Sequence, residues 1–352
     1  MMAGKKTPKL TVKNLKTGLA VAALAFALDM QAVAFGADKL TFTSWGGVTQ
    51  DAQMEAWSKV FTAETGIPVL ADGPTDYGKF KAMVESGNVA WDVVDVEGDF
   101  AHQAAADGLL EPLDFSVINK ADLDPRFVTD HAAGDFYWSF ILAYNKDVLG
   151  NASPAGWGAV FDTKRYPGKR ALYKWSSPGV LEMALLADGV APDKLYPLDL
   201  DRAFRKLDTI KKDIIWWGSG AQSQQLIASG EVSMGVFWNN RIYSLQTSGA
   251  NIGVSWEQNL ATADFLVVPK GSKNKQAAMK FIAIATGVDQ QANFANATTN
   301  GPVNLKAMEK VDAKILPLMS AQHADSQITL DFTYWAKNRD AIGERWYAWQ
   351  AK

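Results

Sequence analysis

The chain has 352 residues, 48% apolar and 21% charged; that is too long for one comfortable core, makes two domains the natural expectation, and excludes disorder and a small disulfide scaffold. Thirty-five Lys and Arg against 38 Asp and Glu give a formal charge of -3, and no basic stretch beyond the first twenty residues could grip nucleic acid, so no nucleic-acid partner is expected. Cysteine is absent, which removes disulfides, thiolate zinc sites, iron–sulfur clusters and a cysteine nucleophile.

Residues 1–16 carry Lys5, Lys6, Lys9, Lys13 and Lys16 without an acid, and the apolar run Leu19–Leu28 follows. That run is too short to span a bilayer. Ala32-Val33-Ala34 then supplies the small-x-small pattern a signal peptidase accepts, so a signal peptide is expected over residues 1–34, with a free periplasmic product. Its removal leaves 30 basic and 37 acidic side chains, a charge of -7, which favours cationic over anionic solutes.

In the mature chain Leu40–Thr43 alternates like a half-buried strand, and Met54, Trp57, Val60 and Phe61 recur at helical spacing up to Gly66. A strand at Ile67–Leu70, a helix through Phe80, Met83 and Val84 ending at Gly87, and a buried parallel strand at Trp91–Val96 complete a β-α-β-α-β unit. Ligands of such doubly wound units sit beyond the carboxyl ends of the strands, here Ser44–Gly47 and Glu97–Asp99. The same grammar restarts after a strand near Phe140–Tyr144. Helices are expected at Val180–Ala187 and Asp201–Lys212, bounded by Gly189 and Asp199, and a capping box at Ser219-x-x-Gln222 opens another. Val232–Phe237 leads to Trp238-Asn239-Asn240-Arg241 as part of a second sheet. Asp264–Pro269 reads as a buried strand and Ala277–Ala285 as a helix stopping at Gly287. No repeat or long linker separates the two α/β units, which suggests a hinged pair of lobes.

Positive signs of catalysis are missing. His102, His131 and His323 share no metal-ligand spacing, and there is no H-E-x-x-H, G-x-S-x-G, phosphate loop or G-x-G-x-x-G. No enzymatic activity, cofactor or metal is expected. Thirteen Trp are an excess, and although most should be core rings, indoles also sandwich ligands and attract cations.

The order LTFTSWGG, WDVVDVE, GEVSMGVFWNNR, ADFLVVPKGSKNKQAAMKFI and NGPVN, behind a signal peptide, resembles the periplasmic solute-binding proteins of ABC importers, in the group with the spermidine/putrescine receptors. The likeness runs from about Lys39 to the end. It implies a type II periplasmic-binding fold of class α/β: two doubly wound lobes joined by a two-strand hinge, residues 35–142 plus 265–312 and residues 143–264 plus 313–352. It also implies a monomer that captures a small cationic or zwitterionic solute and delivers it to a membrane permease with a separate ATPase.

Position by position, the resemblance puts the family's ligand-flanking Trp residues on Trp45 and Trp238, where a desolvated cation over an indole is worth about 2 kcal/mol. The acid opening the hinge strand falls on Asp264, read as an ammonium anchor with an internal salt bridge as the rival. Glu97 and Asp99 stand where polyamine receptors carry hydroxyl and phenol groups, one expected to face the cleft and the other to be solvated. Ser176, Tyr144, Asn300 and Trp335 match pocket regions approximately, and of Trp216-Trp217 at most one ring can enter the cleft. Trp175–Gly179 has no carboxylate where polyamine receptors hold the far amines. Arg241, at a helix start, suits a carboxylate bidentately, with a surface charge or a partner for Glu231 as the alternative. An amine at one end and an acid at the other describe an ω-amino acid such as 4-aminobutyrate, which competes with putrescine. The rivals are an exported hydrolase using Glu97 or Asp99 with Asp264, and a metal-loaded receptor of the same fold.

Overall fold

The computed structural model describes residues 38–352, so the expected leader over residues 1–34 lies outside the described chain. The first unit contains β1 (Leu40–Thr43), β2 (Val69–Asp72) and β3 (Val93–Glu97), with β1 parallel to both neighbours. The helix expected around Trp57 runs from Gly47 to Thr65 and closes on Gly66 at φ 73°, a left-handed cap suited to glycine. A π-helical turn at Met54–Ser58 interrupts it directly after Gln53. Trp57 then packs against Phe42 and Phe294, and the side chain of Gln53 is buried beneath the sheet's end.

The remaining strands are β4 (Ala132–Asn145), β5 (Arg170–Tyr173), β6 (Ile214–Trp217), β7 (Met234–Trp238), β8 (Ile252–Val267), β9 (Gly301–Pro302) and β10 (Ile328–Thr329). Their order is β2-β1-β3-β8-β4-β7-β5-β6, with β9 on β4 and β10 on β8. The second sheet expected from the sequence is therefore a continuation of the first. The reason is length: β4 has 14 residues and β8 has 16, roughly 45–55 Å at about 3.3 Å per residue. β8 meets β3 through Asp264–Val267, and β4 meets β7 through Phe140–Tyr144. The segments expected at Phe140–Tyr144 and Asp264–Pro269 are thus parts of two long antiparallel strands.

Two helix expectations change in detail. The helix expected at Asp201–Lys212 spans Leu200–Asp208, capped by Asp199, and a short turn at Lys211–Asp213 leads into β6. Ser219 does accept from the Gln222 N–H, but the Gln222 amide oxygen takes the Gly218 N–H instead of closing the box. At Gly179 half of such a cap forms, its N–H donating to Glu182 Oε2 at 2.8 Å. Most indoles are core rings, with Trp57, Trp91, Trp157, Trp217, Trp335 and Trp346 almost fully buried.

Candidate functional site

The pairing of β3, β8 and β4 places Glu97 opposite Asp264 and Asp264 opposite Phe136, a row of three on one face, with Trp138 two residues further along that face. Loops and helix starts close over this row. Trp45 follows β1, Tyr173 ends β5, Trp238 ends β7, and Asn240 and Arg241 begin the helix Asn239–Thr247. With Thr49 these residues line one cavity, in which several aromatic rings surround a few converging polar and charged groups, the make-up of a small-solute site. The carboxyl ends of β1, β3, β5 and β7 converge here, as the doubly wound topology requires.

Asp264 is 4% exposed. The Trp45 indole N–H donates to its Oδ2 at 2.9 Å and the Trp138 N–H to its Oδ1 at 2.8 Å. Trp45 thus gives its N–H to this carboxyl while it lines the cavity. The salt bridge held as the rival reading does not form among the described residues: the groups acting on Asp264 are other acids and indole donors. Burial pushes its carboxyl well above the ordinary range, repulsion from Asp95 and Glu97 adds to this, and the Trp138 donor opposes it.

Arg241 is the cationic counterpart in the same cavity. It is no surface charge and does not pair with Glu231. Its Nη2 lies 3.4 Å from Thr49 Oγ1, its Nε is buried without a partner, and burial lowers its pKa. A guanidinium stays charged even so. Gly220 makes its position available, since a Cβ there would lie 2.9 Å from Arg241 Cζ. Trp238 sits edge-on to Trp138 and Trp217 at 5.5 and 5.1 Å, and its indole N–H is buried without a partner.

Glu97 lines the cavity, whereas Asp99, expected to be solvated if Glu97 was not, is 1% exposed and ion-paired with Arg339. It opens the buried side of the helix Gly98–Ala106, which turns it toward the C-terminal helix Phe332–Gln350 that carries Arg339. Arg339 Nη2 lies 4.0 Å from Glu97 Oε2, and its guanidinium lies 5.1 Å from the Tyr77 ring. Burial and the neighbouring Asp99 push Glu97 up to about 7, against the pull of Arg339 and the Tyr77 hydroxyl. Removing one partner of a buried ion pair costs about 3–5 kcal/mol, so Arg339→Met is expected to lower the melting temperature clearly, and the double variant with Asp99→Asn to regain part of the loss. Equal melting temperatures for wild type and Arg339→Met would show the pair to be energetically idle.

Residues 56–341 match the family model of the bacterial extracellular solute-binding proteins. The chain belongs to that family. The gamma-aminobutyric acid-binding protein of Pseudomonas aeruginosa is 35% identical over 344 residues, 95% of this chain and 96% of the relative. The spermidine/putrescine-binding periplasmic protein of Escherichia coli K12 is 24% identical over 84% of this chain and 86% of its own length. Among solved structures, the GABA receptor Atu4243 is 61% identical, covering 89% of this chain and 98% of its own, with a TM-score of 0.85. The fold is the α/β type II periplasmic-binding architecture, and the receptor serves a small solute and an ABC permease.

Five of the ten residues singled out from sequence line the receptor's cavity: Trp45, Glu97, Trp238, Arg241 and Asp264. The other five do not. Asp99 is taken by Arg339, as described. Tyr144 lies six residues beyond Trp138 on β4, roughly 20 Å along the strand, where its hydroxyl meets Ser153 Oγ at 3.3 Å. Ser176 opens instead on a surface depression beside Arg339 and Tyr347. Trp335 is buried with its N–H on Glu182 Oε1 at 2.6 Å, and Asn300 is buried ahead of β9 with both amide atoms unpartnered. Neither Trp216 nor Trp217 enters: Trp216 packs on Trp346 and Trp349, and Trp217 on Tyr173 and Phe237. Sequence reasoning missed Trp138, Phe136, Tyr173 and Thr49, and placed Asn240 on the right loop without singling it out. Phe136, Trp138 and Phe140 alternate along β4, and that period-two aromatic pattern was the available signal.

Proposed function

We propose that the receptor captures 4-aminobutyrate in the periplasm, with the ammonium on Asp264 among the indoles of Trp45, Trp138 and Trp238 and the carboxylate on Arg241. The observation that carries this reading is one cavity holding a carboxyl without a cationic partner and a guanidinium without an anionic one among the described residues. A solute bearing both charges satisfies the two at once. Putrescine would set its second ammonium against Arg241. The names of the 35% and 61% identical relatives support the same solute.

In this reading the leader over residues 1–34 directs export, and the receptor works as a monomer with a permease and a separate ATPase. Its lobes, residues 35–142 plus 265–312 and 143–264 plus 313–352, shut about crossings near Phe140–Ala143 and Asp264. Contacts made only in the shut form shift the population toward it. No bond is made or broken, and the receptor needs no cofactor. A thermal-shift series tests the solute: a ligand at 100 times its Kd stabilises the native state by about 2.7 kcal/mol, so 4-aminobutyrate is expected to raise Tm by several degrees and putrescine or spermidine far less. A rise with putrescine alone would overturn the assignment.

A further inference from the structure

Beneath the cavity floor, Asp264 adjoins two more buried acids, Asp95 on β3 and Asp135 on β4. Pairing between β4 and β8 shifts register between Gly134 and Phe136, leaving Asp135 as the extra residue of a bulge. Ser44 Oγ donates to Asp95 Oδ2 at 2.8 Å, and Gln53 Nε2 bridges Asp95 Oδ2 at 2.8 Å and Asp135 Oδ2 at 2.9 Å. Asp95 stands two residues before Glu97 on β3, on the face where Glu97 pairs with Asp264, so it neighbours Asp264 there and Asp135 through Gln53. Gln53 Oε1, Asp95 Oδ1 and Asp135 Oδ1 are buried without a conventional donor.

No cation of the described chain touches these acids, and among the described residues no group of three or more His, Asp or Glu is arranged to hold a metal ion. Three neighbouring carboxyls buried without a countercharge cannot all be ionised, and any approach of two of them needs a proton to become attractive. Burial raises all three, with charge repulsion adding to the rise of Asp135 and Asp264, while Ser44 and Gln53 donate to Asp95 and favour its charged form.

We propose that Asp95, Asp135 and Asp264 share two protons and one negative charge, which rests on Asp95 in the empty receptor and moves to Asp264 when an ammonium arrives. In that step the O–H bond of Asp264 breaks, an O–H bond forms on Asp95, and the electron pair stays on Asp264. Asp135 keeps its proton throughout, and solvent neither gives nor takes one. The cluster thus presents a neutral acid to water and a carboxylate to a cation. The second half of the proposal rests on the amine-capture reading; the first half does not.

The other ionisable groups facing Asp264 are Glu97 on the same row, with Asp99, Tyr77 and Arg339 behind it, Tyr173 from β5 and Arg241 from the helix after β7. Glu97 would confuse a measurement at neutral pH. At about pH 8.5 it is ionised while an alkylammonium stays protonated. Infrared spectra of the empty receptor at that pH are expected to show the carbonyl band of protonated carboxylic acids, reduced in Asp135→Asn. Because Asn mimics a neutral acid, that variant should fold with nearly the wild-type Tm. Absence of the band in wild type would overturn the proposal.

Calorimetry with 4-aminobutyrate in buffers of different ionisation heat then reads the transfer. Wild type is expected to exchange almost no proton with the buffer, and Asp95→Asn, which cannot take the proton, to release nearly one per ligand and bind at least about tenfold more weakly. Release of a proton by wild type, or unchanged binding by Asp95→Asn, would overturn it. Should Asp95→Asn not fold, the wild-type band decides: it persists and shifts on binding if the proton moves within the cluster, and shrinks if it leaves. If neither 4-aminobutyrate nor putrescine binds, the capture reading falls and the transfer with it, while the band of the empty receptor still decides whether the protons are held.

Discussion

Asp264→Asn is expected to weaken the capture of amines by at least about 30-fold while leaving the receptor folded. The carboxyl is held by two indole N–H donors at 2.9 and 2.8 Å and faces the cavity without a salt bridge to any described residue. An ammonium placed there replaces lost hydration with a close, desolvated charge pair. Removing the charge from one side leaves the ammonium buried against a neutral amide, a loss of about 2–5 kcal/mol or roughly 30- to 5,000-fold in Kd. Burial keeps the empty carboxyl protonated well above the usual range, so an amide of the same shape should not cost stability. Calorimetric Kd values beside a melting curve check both halves. Retained affinity would remove the anchor role, and a collapsed melting curve would make Asp264 a structural residue.

Arg241→Met is expected to separate the two candidate solutes. 4-Aminobutyrate should lose about 2–4 kcal/mol, roughly 30- to 1,000-fold, because its carboxylate would enter a buried site without a countercharge. Putrescine should be unaffected or bind more tightly, since a like charge has been removed. Met keeps an apolar stem against the rings of the cavity, so packing changes little. Gly220→Ala gives the same result from a distance, because the added Cβ would displace the Arg241 side chain. Equal losses for both solutes would assign Arg241 to structure instead.

Positions that follow directly from the ends of strands were legible in the sequence. Trp45 after LTFT, Glu97 after WDVVDV and Trp238-Asn239-Asn240-Arg241 after EVSMGVF all stand where the α/β rule puts a ligand, and all contribute to the cavity wall or its frame. The failures have a different origin. Asp99 and Glu97 are two residues apart in sequence, but the helix that starts at Gly98 turns Asp99 away toward Arg339, 240 positions later. Tyr144 shares a strand with Trp138, yet a strand keeps such residues far apart along its length. Asp135 was invisible because only a bulge, a property of pairing with β8, carries it to Asp95 and Gln53.

Local pattern alone therefore settled part of the element order, β1, β3, β7 and the helix at Val180–Ala187 among it, the α/β class, and the loops at the carboxyl ends of those strands, because these depend on the periodicity of neighbouring residues; it left the helices Gly98–Ala106 and Phe332–Gln350 unread. Tertiary structure decided the rest: that one ladder runs through β4 and β8 in place of two sheets, that Asp264 is met by indoles and not by a salt bridge, and that Arg241 reaches the same cavity. Those outcomes depend on distances between residues far apart in the chain and on the water that packing removes, and neither quantity is written in any local stretch of sequence.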